Sequence, residues 1–398
     1  MTKQYDLIVI GGGPVGLSTA FQASLSGKRT LVLEQYSFLN NEGSSAGASR
    51  QFRLQYAQTY MAELAIASQD YWTELQRYSF DSLVTRCGSL WFGDPSLDSQ
   101  EGGIKSAEEV MDALDIPYIK LDANEIESKF FFKDLPTDYS GFFQPDGGII
   151  NLKATEQTLI NQCIDSDLVD LVEWQAVTEI DVSVENSIKI STATDNFECA
   201  KLAITTGPYS NDTMALLNLK IPFYIWQMSS AYFKIIEPNI TLPTWFVFQN
   251  PADSALFYGF PEVDWANPGY VRVATDFADH GNIYNPDERA EAPSPNSLAL
   301  DSSWVGQHMV GLDDTPRFTS TCLISLAEDS EKELLLDYLP SAMPNSKNVV
   351  VYTAGWAGKF IPILGNMIGQ MLESELTSFN YRGYSIDRSN FSIDWQES

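Results

Sequence analysis

Cysteine and histidine are scarce in this sequence, and so is positive charge. Among 398 residues there are four cysteines and two histidines. The cysteines are scattered along the chain and never form a C-x-x-C spacing. A metal site built from cysteine and histidine is therefore not expected, and neither is a disulfide framework.

Lysine and arginine together number 24, against 53 aspartates and glutamates, so the formal net charge is −29. A surface of this charge repels nucleic acid and anionic membranes, which argues against either as a partner. A small anionic substrate would need a local concentration of positive charge. The pair Arg50 and Arg53 is a candidate for such a site.

No uninterrupted apolar run approaches the length needed to cross a membrane. The chain passes from Met1 into its first apolar segment without a charged and then apolar leader, so we expect a cytoplasmic protein. Hydrophobic residues make up 44% of the sequence, and glycine and proline are ordinary in number. These features indicate a globular chain long enough for two domains.

The segment from Tyr5 to Glu34 has the features of a βαβ unit that binds a nucleotide pyrophosphate. Residues 7–10 are apolar and largely β-branched, as expected for a strand buried in a parallel sheet. A G-x-G-x-x-G motif follows. Its glycines permit a tight turn, close approach of phosphate oxygens and close packing of helix on strand.

A helix is predicted from Pro14 to Ser26, with its N-terminus directed at the pyrophosphate. A second strand over residues 29–33 ends in Glu34, 23 positions after Gly11. A carboxylate at this place can accept hydrogen bonds from a ribose diol, which favours FAD or NAD(H) over NADP(H). The motif alone leaves the choice between FAD and NAD(H) open.

The polar segment LNNEGSSAGASR is predicted to form a loop that lies over the cofactor. A helix is predicted to follow it, containing Arg50 and Arg53 and continuing to about Gln76. Residues three apart on a helix share a face, so both arginines would point in the same direction. The alternative is that they form an ordinary solvated basic face.

The middle of the chain combines strand and helix signals. A strand over Gly88–Asp94, followed by a loop that carries Glu101 and then a helix, begins a second domain. A helix near Lys153–Ser166 and a strand that starts at Lys201 are typical of a return to the nucleotide-binding domain.

Aromatic, alternating runs between Ile221 and Val271 predict antiparallel strands, in which we place a substrate sheet. The segment Asn348–Phe360 predicts a buried strand and a glycine turn, followed by a helix over about Pro362–Glu375. Together these assignments predict a discontinuous nucleotide domain and an inserted second domain. Their expected bounds are residues 1–87, 146–218 and 318–398 for the first, and 88–145 and 219–317 for the second.

Six segments occur in a fixed order: GGGPVG, ASRQFR, PDGG, TTGPYS, STC and GWAGKF. In these segments the chain resembles the flavoprotein amine oxidases of the monomeric sarcosine oxidase family, over essentially its whole length. The resemblance implies the D-amino-acid oxidase type of fold, with α/β and α+β parts. A Rossmann-like FAD-binding domain of the glutathione-reductase type would carry an inserted antiparallel-sheet substrate domain.

The resemblance implies FAD as the cofactor, attached covalently through a thioether from Cys322 to the 8α-methyl carbon of the flavin. Such a bond would retain the flavin and raise its reduction potential. The alternative is that this cysteine is a small buried hydrophobic residue. The cofactor-binding residues implied in this way are Gly11, Gly13, Pro14, Val15, Gly16, Glu34, Ser49, Arg50, Gly207, Cys322, Gly355, Gly358 and Lys359.

The resemblance also implies a substrate site. Arg53 would bind a substrate carboxylate with help from Lys359, because a guanidinium group pairs with a carboxylate through two parallel hydrogen bonds. Arg50 would lie over the flavin. Four further residues match family positions beside the substrate, two as aromatic walls and two as proton-accepting carboxylates: Trp356, Tyr258, Glu101 and Asp276. Core packing or surface solvation is the competing explanation for these four.

The chain departs from the sarcosine oxidases at several of these positions. Ala46 and Asp276 stand where those enzymes have histidines, and Arg272 stands in place of their oxygen-activating lysine. The two replaced histidines disfavour a simple N-methyl glycine as the substrate. Gly358 stands where the family member that oxidises piperideine-2-carboxylate is expected to have a bulky aromatic residue. A missing ring there would enlarge or reshape the pocket beside Trp356, which implies a substrate larger than, or different from, piperideine-2-carboxylate.

The resemblance therefore implies a monomeric FAD oxidase of a carboxylate-bearing cyclic amino or imino acid, of the type that converts piperideine-2-carboxylate to picolinate. Hydride would pass to flavin N5, and molecular oxygen would be reduced to hydrogen peroxide. An oxidase or dehydrogenase of a secondary amino acid, such as L-pipecolate, proline, sarcosine or another N-methyl amino acid, is the alternative. A non-catalytic binding protein on the same fold, like the GDP-dissociation inhibitors, is an alternative of another class.

Overall fold

The computed structural model describes residues 3–99, 102–249 and 255–397. Within these ranges it contains β-strands that are, in chain order, β1 (Lys3–Ile10), β2 (Thr30–Leu33), β3 (Ser49–Phe52), β4 (Val84–Arg86), β5 (Ser89–Gly93), β6 (Asp98–Ser99), β7 (Gly102–Gly103), β8 (Ile119–Asp122), β9 (Ser140–Gln144), β10 (Gly148–Asn151), β11 (Val169–Val172), β12 (Val177–Val184), β13 (Ser187–Thr192), β14 (Asn196–Ile204), β15 (Leu219–Lys220), β16 (Phe223–Ile235), β17 (Thr244–Phe248), β18 (Phe257–Phe260), β19 (Tyr270–Thr275), β20 (Asn282–Ile283), β21 (Leu312–Ala327), β22 (Leu335–Tyr338), β23 (Val349–Thr353), β24 (Ser378–Tyr381), β25 (Tyr384–Asp387) and β26 (Gln396–Glu397).

The α-helices in the same ranges are α1 (Pro14–Leu25), α2 (Thr59–Gln76), α3 (Ile104–Ala113), α4 (Ala123–Phe130), α5 (Leu152–Asp165), α6 (Ser210–Ala215), α7 (Pro295–His308) and α8 (Ile361–Glu373). Short 3₁₀ turns at Gly207–Tyr209 and Ala357–Phe360 precede α6 and α8. None of the described helices is long and apolar enough to cross a membrane. The predicted helices in the regions of α1, α5 and α8 are confirmed to within two residues at each end.

The first sheet is built around β1. Its strands follow the order β11-β2-β1-β14-β13-β12, and β23 pairs with β14 and β22 with β23. The central pairs β1·β2, β1·β14, β2·β11 and β14·β23 are parallel. Residues 7–10 of β1 are buried, as a strand covered on both faces must be. The structure thereby confirms the predicted Rossmann-like strand–helix–strand unit.

Helices α1 and α8 pack against each other over this sheet with almost no space between them. A Cβ atom added at Gly365 of α8 would lie 2.3 Å from the Ser18 Oγ of α1 and 2.6 Å from the Ser18 carbonyl carbon. The Ser18 hydroxyl donates a hydrogen bond to the Pro362 carbonyl oxygen at 3.4 Å. Glycine therefore sets the distance between the two helices at this contact.

The second sheet has the strand order β20-β16-β19-β18-β17-β5-β9-β8, and β21 pairs with β16. Its pairs are antiparallel except β5·β17, which is parallel. The prediction of an antiparallel sheet between Ile221 and Val271 is confirmed. On the face covered by α7, Trp304 stacks on Phe257 with ring centroids 5.1 Å apart.

The prediction of a helix through Arg50 and Arg53 is wrong. Residues 49–52 form strand β3, which pairs in antiparallel fashion with β10, and α2 begins only at Thr59. The backbone of β3 thus pairs with a strand that is distant in sequence. A local helical pattern cannot reveal such a partner. Since side chains alternate along a strand, Arg50 and Arg53 lie on opposite faces of the chain. The domain bounds given above stay a prediction.

Candidate active site

Close contacts between β1, α1 and β14 form the nucleotide-binding end of the site. Gly11 has φ +101°, and a Cβ atom there would lie 2.6 Å from the Thr205 carbonyl oxygen. A Cβ atom at Gly16 would lie 2.0 Å from the Gly11 carbonyl oxygen. The first and third glycines of the motif are therefore required by the turn and by the packing of α1 on the strand. A Cβ atom at Gly13 meets nothing within 4 Å.

Glu34 lies at the end of β2, where it is 7% exposed. Its Oε2 accepts a hydrogen bond from the Gly12 amide at 2.7 Å, and its Oε1 accepts one from the Tyr36 amide at 2.9 Å. Burial raises the pKa of this carboxyl, while the backbone hydrogen bonds lower it. The two amides fix the orientation of the carboxylate at the edge of the cavity, as an acceptor for ribose hydroxyls requires.

A single cavity of about 330 Å³ runs from the glycine motif to the face of the second sheet. Most of the residues predicted from the sequence line it, including both cofactor and substrate candidates. They are Gly11, Gly13, Pro14, Val15, Glu34, Arg50, Gly207, Tyr258, Asp276, Cys322, Gly355, Trp356, Gly358 and Lys359.

Of the predicted residues that the structure describes, three are not in the lining. Gly16 lies behind the turn, in contact with Gly11. Ser49 is buried, and its side-chain oxygen lies 3.3 Å from Arg272 Nη1. Arg53 is fully buried among aromatic rings. Glu101 lies outside the described residues.

Arg53 and Lys359 bring two positive charges to the same aromatic ring. The Arg53 guanidinium carbon lies 4.6 Å from the Tyr56 ring centroid and 4.8 Å from that of Trp91. The Lys359 Nζ lies 5.2 Å from the Tyr56 centroid. Such contacts stabilise cations away from water. Lys359 lines the cavity and Arg53 is buried against the same ring, so this end of the cavity suits an anionic ligand group.

The backbone of Lys359, in the loop before α8, is held by α2. The Lys359 carbonyl oxygen accepts hydrogen bonds from the Ser68 hydroxyl at 2.7 Å and from the Trp72 indole nitrogen at 2.8 Å, both on α2. Ala354 and Gly355, just before it, have φ values of +71° and +85°. This sharp turn brings Trp356 to the cavity wall.

Tyr258, Arg272 and Asp276 form the opposite wall, on β18 and at the end of β19. Burial raises the pKa of Tyr258 to about 12, with a smaller increase from Asp276 that opposes the effect of Arg272. The phenol is therefore a neutral hydrogen-bonding group at ordinary pH. Arg272 donates from Nε to the Ser230 hydroxyl at 2.9 Å, and its side chain lies over the Phe260 ring at 4.6 Å.

Cys322 lies in the middle of β21, directly opposite Met228 of β16. Its side chain is partly exposed to the cavity, and it packs with Tyr258 and Trp356 beside a small apolar cluster. Neither this cysteine nor the other three forms a disulfide. This position allows attachment of a group in the cavity. The other three cysteines are not among the described lining residues.

A loop over the nucleotide end, here called the 39–46 loop, is held by three cationic side chains. These are Arg50, Lys153 and Arg289, of which Arg289 comes from the segment between β20 and α7. Each donates hydrogen bonds to main-chain oxygens of the loop. The acceptors are the carbonyls of Leu39, Asn40, Asn41, Ser44, Ser45 and Ala46.

Gly358 lies directly against Arg50. A Cβ atom there would be 2.9 Å from the Arg50 Cβ and 3.0 Å from its Cγ. The contact shows that a larger residue at 358 would require Arg50 to move.

Several lining residues were missed from the sequence. They are Gln51, Met228, Phe246 and Phe260. Gln51 stands between Arg50 and Arg53. If this segment is assigned as a strand, Ser49, Gln51 and Arg53 share one face, and Gln51 becomes a candidate site residue. The others are apolar strand residues like many in the core, and the sequence contains no signal that separates them.

This fold and cavity define an FAD-dependent oxidoreductase. The sequence profile of the DAO family of FAD-dependent oxidoreductases matches residues 6–371, and the chain belongs to this family. The predicted D-amino-acid oxidase type of fold, the FAD cofactor and the enzyme class are thereby confirmed.

Individual relatives place the chain more narrowly. It is 33% identical to NikD, an unusual amino acid oxidase essential for nikkomycin biosynthesis, with a TM-score of 0.90 and 100% of both chains covered. It is 23% identical to a monomeric sarcosine oxidase of Bacillus sp. (strain B-0618), over 98% of this chain and 97% of that one. The chain is thus an FAD-dependent amine or amino acid oxidase of the sarcosine oxidase and NikD group.

A third relative is a putative bifunctional amine oxidase of Dictyostelium discoideum. It is 33% identical over 98% of this chain, but the aligned region is 38% of that protein. The chain therefore spans well under half of the length of this larger relative.

Proposed function

We propose that this protein oxidises a cyclic amino or imino acid, in the manner of piperideine-2-carboxylate conversion to picolinate. The observation that supports this is the composition of the cavity beyond the nucleotide site. Lys359 lines it at one end, near the buried Arg53, and Asp276, Tyr258 and Arg272 line the other wall. The similarity to NikD over both whole chains supports the same reaction type.

The residues fit an FAD molecule. Gly13 leaves backbone open to phosphate oxygens, and Glu34 presents a fixed carboxylate to a ribose. The cavity then continues without interruption to Cys322 and Trp356 on the substrate side. When bound, FAD supplies a hydride acceptor at N5 and passes the electrons to molecular oxygen, which leaves as hydrogen peroxide.

In this proposal Arg53 and Lys359 hold the substrate carboxylate. Both are buried and charged, so the attraction is weakened little by water. A carboxylate held at this end fixes the adjacent ring in one orientation, which lowers the entropic part of the barrier. Tyr258 and Trp356 border the ring and exclude water from it.

Proton removal is assigned to Asp276, with Glu101 as a second base. Ring oxidation releases a proton for every hydride, so an acceptor must stand near the substrate. Asp276 is buried, and its backbone amide is fixed by a hydrogen bond to the Leu256 carbonyl at 2.8 Å. Conversion of piperideine-2-carboxylate to picolinate removes four hydrogen atoms, which corresponds to two oxidations and two molecules of hydrogen peroxide per product.

The function is tested by incubating purified holoenzyme with piperideine-2-carboxylate, and in parallel with sarcosine, L-proline and L-pipecolate. We expect two peroxides per picolinate, with picolinate followed by its pyridine absorbance. One peroxide per turnover, without a pyridine product, would support a secondary amino acid oxidase instead.

In Arg53→Leu, loss of a charged hydrogen-bonding partner should raise KM by about 10- to 100-fold. An unchanged KM would contradict the anchoring role, provided that the variant retains flavin.

We further propose that the flavin is attached to Cys322. Holoenzyme is denatured in acid, and the polypeptide is separated and examined by visible absorbance and intact mass. The expected result is a yellow polypeptide heavier by one FAD, and a colourless one of unmodified mass for Cys322→Ala. Cys87→Ala is the matched control and should keep the adduct, since Cys87 lies outside the cavity. Flavin released from the wild-type protein would rule out covalent attachment.

A further inference from the structure

Gln51 occupies a position in the cavity that the function described so far does not use. It lies on β3 between Ser49 and Arg53, with its side chain on the same face as theirs. Ser49 contacts Arg272, and Arg53 contacts Trp91 of β5. The three side chains therefore point at the second sheet, and Gln51 lines the cavity between the other two.

The amide nitrogen of Gln51 is fully engaged with the sheet. Nε2 donates hydrogen bonds to Ser89 Oγ at 3.0 Å and to Thr244 Oγ1 at 3.1 Å. Ser89 and Thr244 are direct neighbours in the parallel pair β5·β17. The Thr244 hydroxyl donates its own hydrogen to the Gly88 carbonyl oxygen at 3.1 Å, so it can only accept from Gln51. Both amide hydrogens are thus used, and the amide group is held in one orientation.

This orientation leaves the carbonyl oxygen of Gln51 for the cavity. Among the described residues, none donates a hydrogen bond to Gln51 Oε1. A fixed carbonyl oxygen accepts a hydrogen bond from an N–H group, and it repels an ether or carboxylate oxygen placed at the same point. It therefore distinguishes ligands that are otherwise alike in shape.

The neighbouring cations determine which part of a ligand meets Gln51. A carboxylate is attracted to Arg53, two residues along the same strand face, and to Lys359. A substrate that extends from there along β3 brings the atoms next to its carboxylate toward Gln51, which lines the same cavity as Lys359. In a cyclic α-amino acid, or in the enamine or iminium form of a cyclic α-imino acid, the first group in this direction that can donate is the ring N–H.

We propose that Gln51 is a specificity-determining residue, whose fixed amide oxygen accepts a hydrogen bond from the ring N–H of a carboxylate-bearing substrate. The proposal deepens the function assigned above and rests on it. Its consequence is selection for nitrogen heterocycles against oxygen heterocycles of the same size. A site built to pair with an N–H group rejects an analogue without one, because a buried polar atom is then left unpaired.

The test compares two planar ligands that differ at one ring atom, pyrrole-2-carboxylate and furan-2-carboxylate. Each is titrated into the holoenzyme, and the dissociation constant is measured from the change in the visible flavin spectrum and by calorimetry. We expect the wild-type protein to bind the pyrrole about 3- to 10-fold more tightly, the contribution of one hydrogen bond. In Gln51→Leu, this ratio should fall to about 1.

Gln55→Leu is the matched control. Gln55 is buried and donates to the same Ser89 oxygen, but it is not among the described lining residues. Its replacement disturbs the same polar cluster without touching a ligand, so the ratio should remain as in the wild type. Thr244→Val keeps Gln51 but removes one of the two acceptors that orient its amide, and we expect an intermediate ratio.

A wild-type ratio of about 1, a ratio that persists in Gln51→Leu, or an equal loss in Gln55→Leu would each overturn the proposal. These outcomes are independent of turnover. If the ratio behaves as expected but no cyclic imino acid is oxidised, the proposed function fails and the binding role stands. If picolinate is formed but the ratio is about 1, the function stands and the role of Gln51 fails.

Discussion

Asp301 is a buried acid with no hydrogen-bond partner among the residues that the structure describes. It lies on α7 and is 0% exposed, and no described residue donates a hydrogen bond to either of its carboxylate oxygens. Burial raises the pKa of Asp301 to about 8, with a further increase from Asp279 and an opposing effect of Arg272. The carboxyl group is therefore mainly protonated in the folded protein at neutral pH.

This protonation predicts a slope of stability with pH. The folded state holds the proton up to about pH 8, whereas the unfolded chain releases it near 3.8. The stabilising contribution of this bound proton is therefore complete below about pH 3.8. Between about pH 3.8 and about pH 8 the free energy of unfolding falls by up to about 1.4 kcal/mol per pH unit, and the contribution is lost as the pH rises through about 8. Asp301→Asn should remove this slope, so that its free energy of unfolding exceeds that of the wild type increasingly from pH 5.5 to pH 8.

Denaturant unfolding at several pH values measures the effect. Asp264→Asn is the control, because Asp264 is exposed and its replacement should leave the slope unchanged. Parallel stability curves for wild type and Asp301→Asn would show that Asp301 is not protonated in the fold.

For single residues, sequence analysis identified those site candidates that belong to recognisable motifs. Gly11, Glu34 and Lys359 were found in this way and do lie in one cavity. Gln51 and Asp301 were not found. Asp301 stands in a polar stretch that resembles a solvated helix, and only the packing of α7 on β19 and β21 buries it. Burial of this kind depends on the tertiary arrangement and leaves no local signal.

At the scale of elements, the contact between α1 and α8 makes a sharp prediction. Gly365→Ala places a methyl group within 2.3 Å of Ser18 Oγ, so the helices must separate. Overpacking of this kind costs about 1–3 kcal/mol. Because α1 also presents the pyrophosphate-binding turn, the rate of flavin incorporation into refolded protein should fall as well.

Gly369→Ala, one turn further along α8, is the matched control. A Cβ atom there meets nothing within 4 Å, and alanine is favoured over glycine in a helix by about 0.5–1 kcal/mol. Thermal unfolding should therefore show a lower Tm for the first variant and an equal or higher Tm for the second. A similar Tm for both would mean that the α1–α8 contact can relax at no cost.

Elements with a strong local period were predictable, whereas β3 was not. Helices α1, α5 and α8 have clear start signals, such as Pro14 at the first position of α1 and the Asn151 side chain that accepts from the Ala154 amide at 3.1 Å. Strand β3 is short, and its partner β10 is almost a hundred residues away in sequence. A strand whose stability comes from such a distant pairing cannot be distinguished from a helix by its own residues.

For the whole molecule, the net charge of −29 predicts a response to salt. Like charges spread over the surface repel each other and destabilise the compact state, and salt screens this repulsion. The Tm of the holoenzyme should therefore rise by a few degrees between low ionic strength and about 0.5 M NaCl. Calorimetry in a series of NaCl concentrations tests this. A constant or falling Tm would indicate that local ion pairs, which salt weakens, outweigh the general repulsion.

The anchoring of the 39–46 loop has a consequence for how this protein can change over generations. Arg50, Lys153 and Arg289 all bind its main-chain oxygens, and every amino acid offers the same oxygen. Mutations that alter side chains in this loop therefore leave these three anchors in place, so a lineage can explore many variants there while the loop stays attached. A library randomised within the loop should accordingly retain a larger fraction of folded, flavin-containing members than one randomised at the three anchoring cations.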